Sequence, residues 1–268
     1  LRKTVGDTAF FESLKLYLNE NKFGSAEIHN LRLAFEKVTG EDLNWFFNQW
    51  FLSPGHPALA VSYDYDDSLK QQSVSVTQAQ DITAFPIYKL PVYVDLYFGT
   101  KVERHEVIVD SVRKTFVFKT NAKPDLVNFD SEKMLLCIKN DNKIEKEWIF
   151  QYYNAPLYLD RFEAVNALKN YALHPDVIKV MIDALNDTHW NIRKEAINNL
   201  KDASPLAGYE VRNKLVTTAK NDKKSAVRAN AIKQLAIYFN PDSTGVHDDE
   251  LTELYTEAAK DLSYSVVG

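Results

Sequence analysis

Six histidines, one cysteine and a few paired carboxylates are the side chains on which catalysis could rest. The histidines are His29, His56, His105, His174, His189 and His247, and no two stand four apart. That spacing is what lets two imidazoles on one helix face share a zinc ion. His105-Glu106-Val107-Ile108-Val109 comes nearest, but Val109 stands where the second ligand belongs and the run alternates as a strand does. It reads as a sheet segment with a solvent-facing imidazole. His189-Trp190, beside Asp187, reads as a turn. Cys137 sits in the apolar run from Met134 to Ile138 and reads as a buried small hydrophobe rather than a nucleophile. As the single cysteine it can form neither an intramolecular disulfide nor a thiolate zinc cluster. The pairs Asp66-Asp67, Asp64/Asp66 and Asp248-Asp249 lie in polar surroundings, with no apolar neighbour to separate two pKa values. Neither a Gly-rich phosphate loop nor a Gly-x-Ser-x-Gly elbow is present. No catalytic, cofactor-binding or metal-ligating residue is assigned.

Three kinds of element must carry these residues. Residues 1–55 read as helices. Asp7 can cap a helix with Phe10, Leu14, Tyr17 and Leu18 on one side, and Gly24-Ser25 breaks the chain. Ile28, Leu31, Phe35 and Val38 define a second helix stopped by Gly40. A third, Asp42 to Leu52, places Leu43, Phe46, Phe47 and Trp50 on one stripe and Trp45 and Phe51 off it. A helix apolar on most of its circumference calls for cover on most of its circumference. After Pro54-Gly55-His56-Pro57 the period falls to two, with alternation in Leu59–Tyr65, Ser73–Gln78, Leu90–Phe98, Glu103–Val109, Thr115–Lys119 and Leu135–Lys139. Gly99-Thr100 marks a hairpin. Short strands at this spacing predict an antiparallel β-sandwich over 56–151.

From Asn154-Ala155-Pro156 onward the chain is helical and repeats. Arg161 to Leu168, Arg193 to Leu200 and Arg228 to Leu235 align, with Asp187 and Asp222 each six residues before an arginine. Asp261 begins a further copy. In this pattern the aspartate caps the second helix of each pair, Ile/Val, Ala, Ile/Val and Leu form its buried stripe, and Val177, Met181 and Leu185 mark a partner helix. The arginine is expected to pair with an aspartate in an adjacent turn. Paired helices that cannot bury their apolar faces alone stack into a HEAT-like solenoid, here over 152–268. Asp160 occupies the Ile slot of the first copy.

Composition narrows the function classes. The 268 residues are 45% hydrophobic and 26% charged, which excludes disorder and low complexity. The net charge of −5 argues against a dedicated nucleic-acid binder. Asp187 to Leu235 carries ten Lys/Arg against five Asp/Glu, without interleaved aromatic residues, and reads as a solvated surface. No apolar run is long enough to span a bilayer. Helix-like apolar spacing at both ends suggests a piece of a longer protein.

The first hundred residues resemble the C-terminal part of the aminopeptidase N family of zinc metallopeptidases. The likeness runs through Leu1 to Phe11, Leu14 and Tyr17-Leu18, then Val38-Thr39-Gly40-Glu41-Asp42-Leu43-Asn44-Trp45-Phe46-Phe47-Asn48-Gln49-Trp50, then Gly55 to Tyr63, and Val74 to Gln78. The resemblance implies the last helices of a thermolysin-like catalytic domain over 1–55, the β-sandwich over 56–151 and the truncated repeat array over 152–268. It further implies that the rest of the catalytic domain packs on residues 1–55. That family's His-Glu-x-x-His motif, later Glu ligand, Gly-x-Met-Glu-Asn loop and catalytic Tyr would all precede Leu1, so none maps onto this chain. The expected fold is therefore a short all-α segment, a sandwich and an α-α solenoid. The expected function is that of a non-catalytic part of a zinc aminopeptidase, which walls off a chamber for peptide substrates. Zinc is expected in the longer parent and no cofactor in this chain. The expected parent is soluble, either cytoplasmic or exported. The alternative is a repeat scaffold that docks a protein partner without peptidase activity.

Overall fold

Apolar spacing and a few chain-stopping residues set the first elements of the computed structural model, which describes residues 1–201, 204–238 and 249–267. His247 and Asp248 lie outside them. The chain divides into two units, Leu1–Asn142 and Lys143–Gly268. The first unit opens with α1 (Arg2–Val5), α2 (Asp7–Glu20) and α3 (Ile28–Thr39). Gly40 ends α3 with φ 73°, the left-handed stop its position predicts. Asp7 does not cap. It is the first helical residue, and its carboxylate takes the Arg2 guanidinium at 2.6 and 2.8 Å. Phe10 meets Phe35 edge-on at 5.6 Å, whereas Leu18 is 66% exposed, so the apolar stripe of α2 is shorter than its period suggests. The third helical stretch is α4 (Asn44–Phe47), which widens into a π-turn over Asn48–Leu52. Leu43, Phe46 and Phe47 are buried, while Trp45 and Trp50 are half-buried and Phe51 is exposed.

Period-two alternation then builds two packed sheets. Strands β1 (Ala58–Asp66), β2 (Gln71–Gln78), β5 (Arg113–Lys119) and β7 (Ile138–Asn142) form one, in the order β5-β2-β1-β7. Strands β3 (Leu90–Phe98), β4 (Lys101–Val109) and β6 (Leu126–Phe129) form the other, in the order β4-β3-β6. Leu59, Val61, Val74 and Val76 face Val92, Val94, Leu96, Val107 and Phe129 in one apolar core. Gly99 and Thr100 make the expected two-residue hairpin, since Phe98 pairs with Lys101.

Two expectations need correction. The sandwich is not wholly antiparallel, because β7 runs parallel to β1. Its strands also end at Asn142 rather than near 151, and Glu145–Asn154 is a helix. Trp148 and Tyr152, four apart, are buried in the helical core, and the Glu147 carboxylate takes the Ile144 N–H at 2.9 Å to start that helix.

The second unit is an array of helices: α5 (Glu145–Asn154), α6 (Tyr158–Leu168), α7 (Pro175–Ala184), α8 (Trp190–Leu200), α9 (Ser204–Asn221), α10 (Ser225–Leu235), α11 (Asp249–Ala258) and α12 (Tyr264–Val267). The repeated apolar slots are buried as the alignment requires: Ile192, Ala196, Ile197 and Leu200 in α8, and Val227, Ala231 and Leu235 in α10. Asp160 is also fully buried in its slot. It is tolerated there because its carboxylate takes the Leu157 N–H at the start of α6.

Two glutamines fix the segment leading into β3. Gln78 donates to the Tyr88 carbonyl at 2.7 Å and accepts the Tyr88 N–H at 2.8 Å. Gln49, in the π-turn, grips Lys89 in the same way at 3.0 and 2.9 Å. Both glutamines are buried, and Tyr88 is fully so. Truncating Gln78 strands a buried N–H and a buried carbonyl, each costing about 1–3 kcal/mol. Gln78→Ala is therefore expected to destabilise the first unit by roughly 2–6 kcal/mol, seen as a lower midpoint in urea with an unchanged slope.

Candidate functional site

The residues that could do chemistry are scattered by the fold. His29 is exposed on α3, and His56 is exposed in the connection before β1. His174 stands just before α7 without capping it, and its Nδ1 meets Glu145 Oε2 at 2.6 Å. His189 caps α8 and lies against the Tyr158 ring at 3.9 Å, the turn role expected of it. His105 departs from expectation. Its imidazole turns inward and stacks on Phe118 of β5 at 4.4 Å, leaving Nε2 buried without a hydrogen-bond partner. The alternation gives a strand but cannot by itself say which face is inward near a sheet edge. Cys137 is half-buried against the sandwich core, between the extremes of surface and interior.

A zinc centre needs three or four converging nitrogen, sulfur or carboxylate ligands. Among the described residues no three His, Cys, Asp or Glu side chains are placed to hold a metal ion. Among the described residues, the one histidine with a buried unpaired nitrogen, His105, faces a phenyl ring. The described residues do not fit a catalytic zinc.

Two arrangements stand out instead. The first is a groove of about 540 Å³ in the first unit. One wall is Trp45, Phe46, Trp50 and Phe51; the other is β3 from Leu90 to Tyr93 with residues 134–136. Its volume falls within the range of sites that enclose small ligands. Asp130, buried at its edge, is pushed above the ordinary carboxylate value by burial, against the pull of the Met134 and Leu135 N–H groups it accepts. Sequence period alone does not reveal this groove, because residues 45, 91 and 135 meet only after folding. The off-stripe positions of Trp45 and Phe51 read in the sequence as surface needing cover, not as a groove wall.

The second arrangement is an arginine–aspartate ladder in the helical array. Arg161 pairs with Asp187, Arg193 with Asp222 and Arg228 with Asp261, at 2.7, 2.6 and 2.8 Å. Each arginine thus reaches the aspartate of the following repeat. The aspartates do not cap helices: each accepts a backbone N–H two residues on, from His189, Lys224 and Ser263, all at 2.8 Å. Arg193 and Arg228 also donate to the carbonyls of Asp187 and Asp222 in their own repeats. The sequence showed the two residue types at fixed spacing, but the distance of an ion pair across repeats is not written in that spacing.

Comparison with known proteins follows this geometry. Residues 147–236 match the family described as HEAT repeats. Aminopeptidase N of Haemophilus influenzae is 28% identical over 36% of this chain and 11% of its own length. Aminopeptidase N of Lactococcus lactis is 35% identical over 26% of this chain and 8% of its own. The crystal structure of Legionella pneumophila aminopeptidase A in complex with aspartic acid matches 96% of this chain and 37% of that one, with a TM-score of 0.68. The chain is similar to the C-terminal region of aminopeptidases. At 14% identity the structural likeness is one of fold. The matched stretch spans about a tenth of the length of the first curated relatives. No helix among the described residues is long and apolar enough to cross a membrane.

The ladder carries a pH dependence whose sign can be worked out. Burial pushes Asp222 up, but the Arg193 hydrogen bonds, the Lys224 N–H and the charges of Arg193 and Arg228 outweigh it, and its pKa lies below the ordinary value. Asp261 is lowered by the Ser263 N–H and then by Arg228. A lowered carboxylate contributes stability that is complete above its unfolded pKa, about 3.9, and is lost as pH falls through the folded value. The chain's helical signal in urea is expected to weaken as pH falls below about 4, and Asp222→Asn should flatten that fall. At pH 7 the same variant is expected to cost roughly 1–3 kcal/mol, since the Arg193 charge loses its partner.

Proposed function

We propose that this chain is the non-catalytic C-terminal part of a longer zinc-dependent metallopeptidase, one that removes N-terminal residues from peptides. In this reading the chemistry belongs to residues outside the chain. The sandwich and the helical array shape and close the chamber in which peptides are held, and the rest of the catalytic domain packs on residues 1–55. The observation that carries the reading is that a chain matched in sequence to curated aminopeptidases also takes, over 96% of its length, the fold of part of one. Phe11, Leu18 and Leu33, left exposed on α2 and α3, supply apolar surface for such packing.

Two measurements test it. The coding sequence ahead of Leu1 is expected to contain His-Glu-x-x-His followed by a further Glu; without them the peptidase reading falls and a repeat scaffold takes its place. The chain as given is expected to leave aminoacyl anilides intact with or without added zinc, and metal-dependent turnover would sink the non-catalytic assignment.

A further inference from the structure

Strand β5 ends one side of the four-stranded sheet, and among the described residues no strand bonds to it beyond β2. It runs Arg113-Lys114-Thr115-Phe116-Val117-Phe118-Lys119, with neither proline nor glycine to interrupt it. Two bonds at its ends show which backbone groups the sheet uses. Gln78 N–H donates to the Val112 carbonyl at 2.8 Å, and Thr120 N–H donates to the Lys70 carbonyl at 2.9 Å. Antiparallel ladders alternate, so residues 114, 116 and 118 bond to β2, while Thr115, Val117 and Lys119 turn their backbone groups outward. Those outward groups have no partner among the described residues; the next in the set, the Arg113 carbonyl, takes the Ser111 hydroxyl at 3.1 Å. β4 meets β5 at a corner, through His105 on Phe118, with no backbone pairing between the two strands among the described residues.

The edge is also charged in one sense. Lys114 is engaged with Asp110 at 2.8 Å. Arg113 and Lys119 are exposed and have no ion-pair partner among the described residues. They bracket the strand, about 20 Å apart, and both belong to the outward-turned set. Val117 between them is 53% exposed, and Phe116 and Phe118 on the inner face are half-buried against the sandwich core. Basic residues on an edge can also serve to keep other strands away, so the two roles need an experiment that separates them.

We propose that the β5 edge takes an extended acidic segment of a partner protein as an added antiparallel strand. Main-chain bonds to Thr115, Val117 and Lys119 attach the segment, and carboxylates opposite Arg113 and Lys119 fix its register. Apolar residues between those carboxylates cover the open sides of Phe116 and Phe118. A second copy of this chain does not fit. Two β5 edges paired about Phe116 would set Arg113 against Lys119 twice, and like charges directly opposite are destabilising. A loose polyanion would meet both charges but leave the backbone groups unused. β5 lies outside residues 1–55, so the proposal can fail while the peptidase reading stands, and the reverse.

The test uses the whole chain and the end-blocked peptide Glu-Val-Thr-Val-Thr-Val-Glu, which sets a glutamate opposite Arg113 and another opposite Lys119. Binding is read by calorimetry, and its place by hydrogen exchange of the Thr115, Val117 and Lys119 amides. The peptide is expected to bind below millimolar concentration and to slow those three amides. N-methylation at both threonines removes bonds to the edge and should abolish binding. N-methylation at the central valine points away from β5 and should leave it. Replacing both glutamates by lysine should weaken binding roughly tenfold, and Arg113→Glu with Lys119→Glu should reverse that preference. Val117→Pro removes an outward N–H that the sheet does not use and should also abolish binding. Both charge-swapped positions are exposed, so an unchanged urea midpoint will show that the fold is intact. No binding at millimolar peptide overturns the proposal and leaves the basic residues as a barrier to pairing. So does equal binding of the lysine peptide, binding that survives methylation at the threonines, loss on methylating the central valine alone, or self-association of the chain that Val117→Pro removes.

Discussion

Each repeat of the helical array is held to the next by an arginine that cannot be satisfied within its own repeat. Arg193 is the clearest case. Its Nη1 donates to two carbonyls of its own loop, those of Asp187 and Thr188, while Nε and Nη2 donate to the two carboxylate oxygens of Asp222 in the next. A planar guanidinium can do both only if the two loops sit at one separation and one angle. The helices behind them then have little freedom in their stacking. Asn199 adds a buried bond across the preceding boundary, donating to the Val165 carbonyl of the first copy at 2.8 Å. Apolar burial supplies most of the favourable free energy of such an array, but it is non-directional. The polar links choose one register among the stackings that hydrophobic packing alone would allow.

The first unit solves its junction with neutral groups. The segment before β3 buries Tyr88 fully between the exposed Ile87 and Lys89, and no strand among the described residues pairs with its backbone. Gln78 and Gln49 act as surrogate strands, each presenting one acceptor and one donor to one residue. Gln78 belongs to β2 and Gln49 to the π-turn, so the two adjacent backbone units are tied to a sheet and to the helical part respectively. A carboxylate in either place would offer no donor, and a hydroxyl could not reach both groups at once.

What could be read beforehand follows the same physics. The repeats were legible because stacked copies need the same residue types at the same spacing, and burial of Ile192, Ala196, Ile197 and Leu200 bears out the aligned stripe. Strands β1 to β5 were legible because one face of each is wet or polar. Strand β6 was not: Leu126, Val127, Asn128 and Phe129 are all buried, so no alternation marks them. Strand β7 is displaced from 135–139 to Ile138–Asn142 because its pairing partner is the start of β1, a constraint set by a segment some eighty residues away. The aspartates of the ladder were seen but given the wrong task, since a cap and an Asx turn two residues earlier use the same residue type. Of the candidate chemistry, the scatter of the histidines was legible and the inward turn of His105 was not.

The surplus of basic residues over Asp187 to Leu235 illustrates how structure changes the meaning of a charge count. Arg193 and Arg228 are consumed by Asp222 and Asp261, and Arg212 by Glu250. The lysines that remain, such as Lys214, Lys220, Lys223 and Lys233, are exposed. One aromatic contact does occur there, with Lys224 over the Trp190 ring at 5.2 Å, against the expectation that no aromatic side chain is interleaved. A single such contact engages the ammonium rather than presenting it. The paired arginines do structural work inside the ladder, and the lysines keep the outer surface in water.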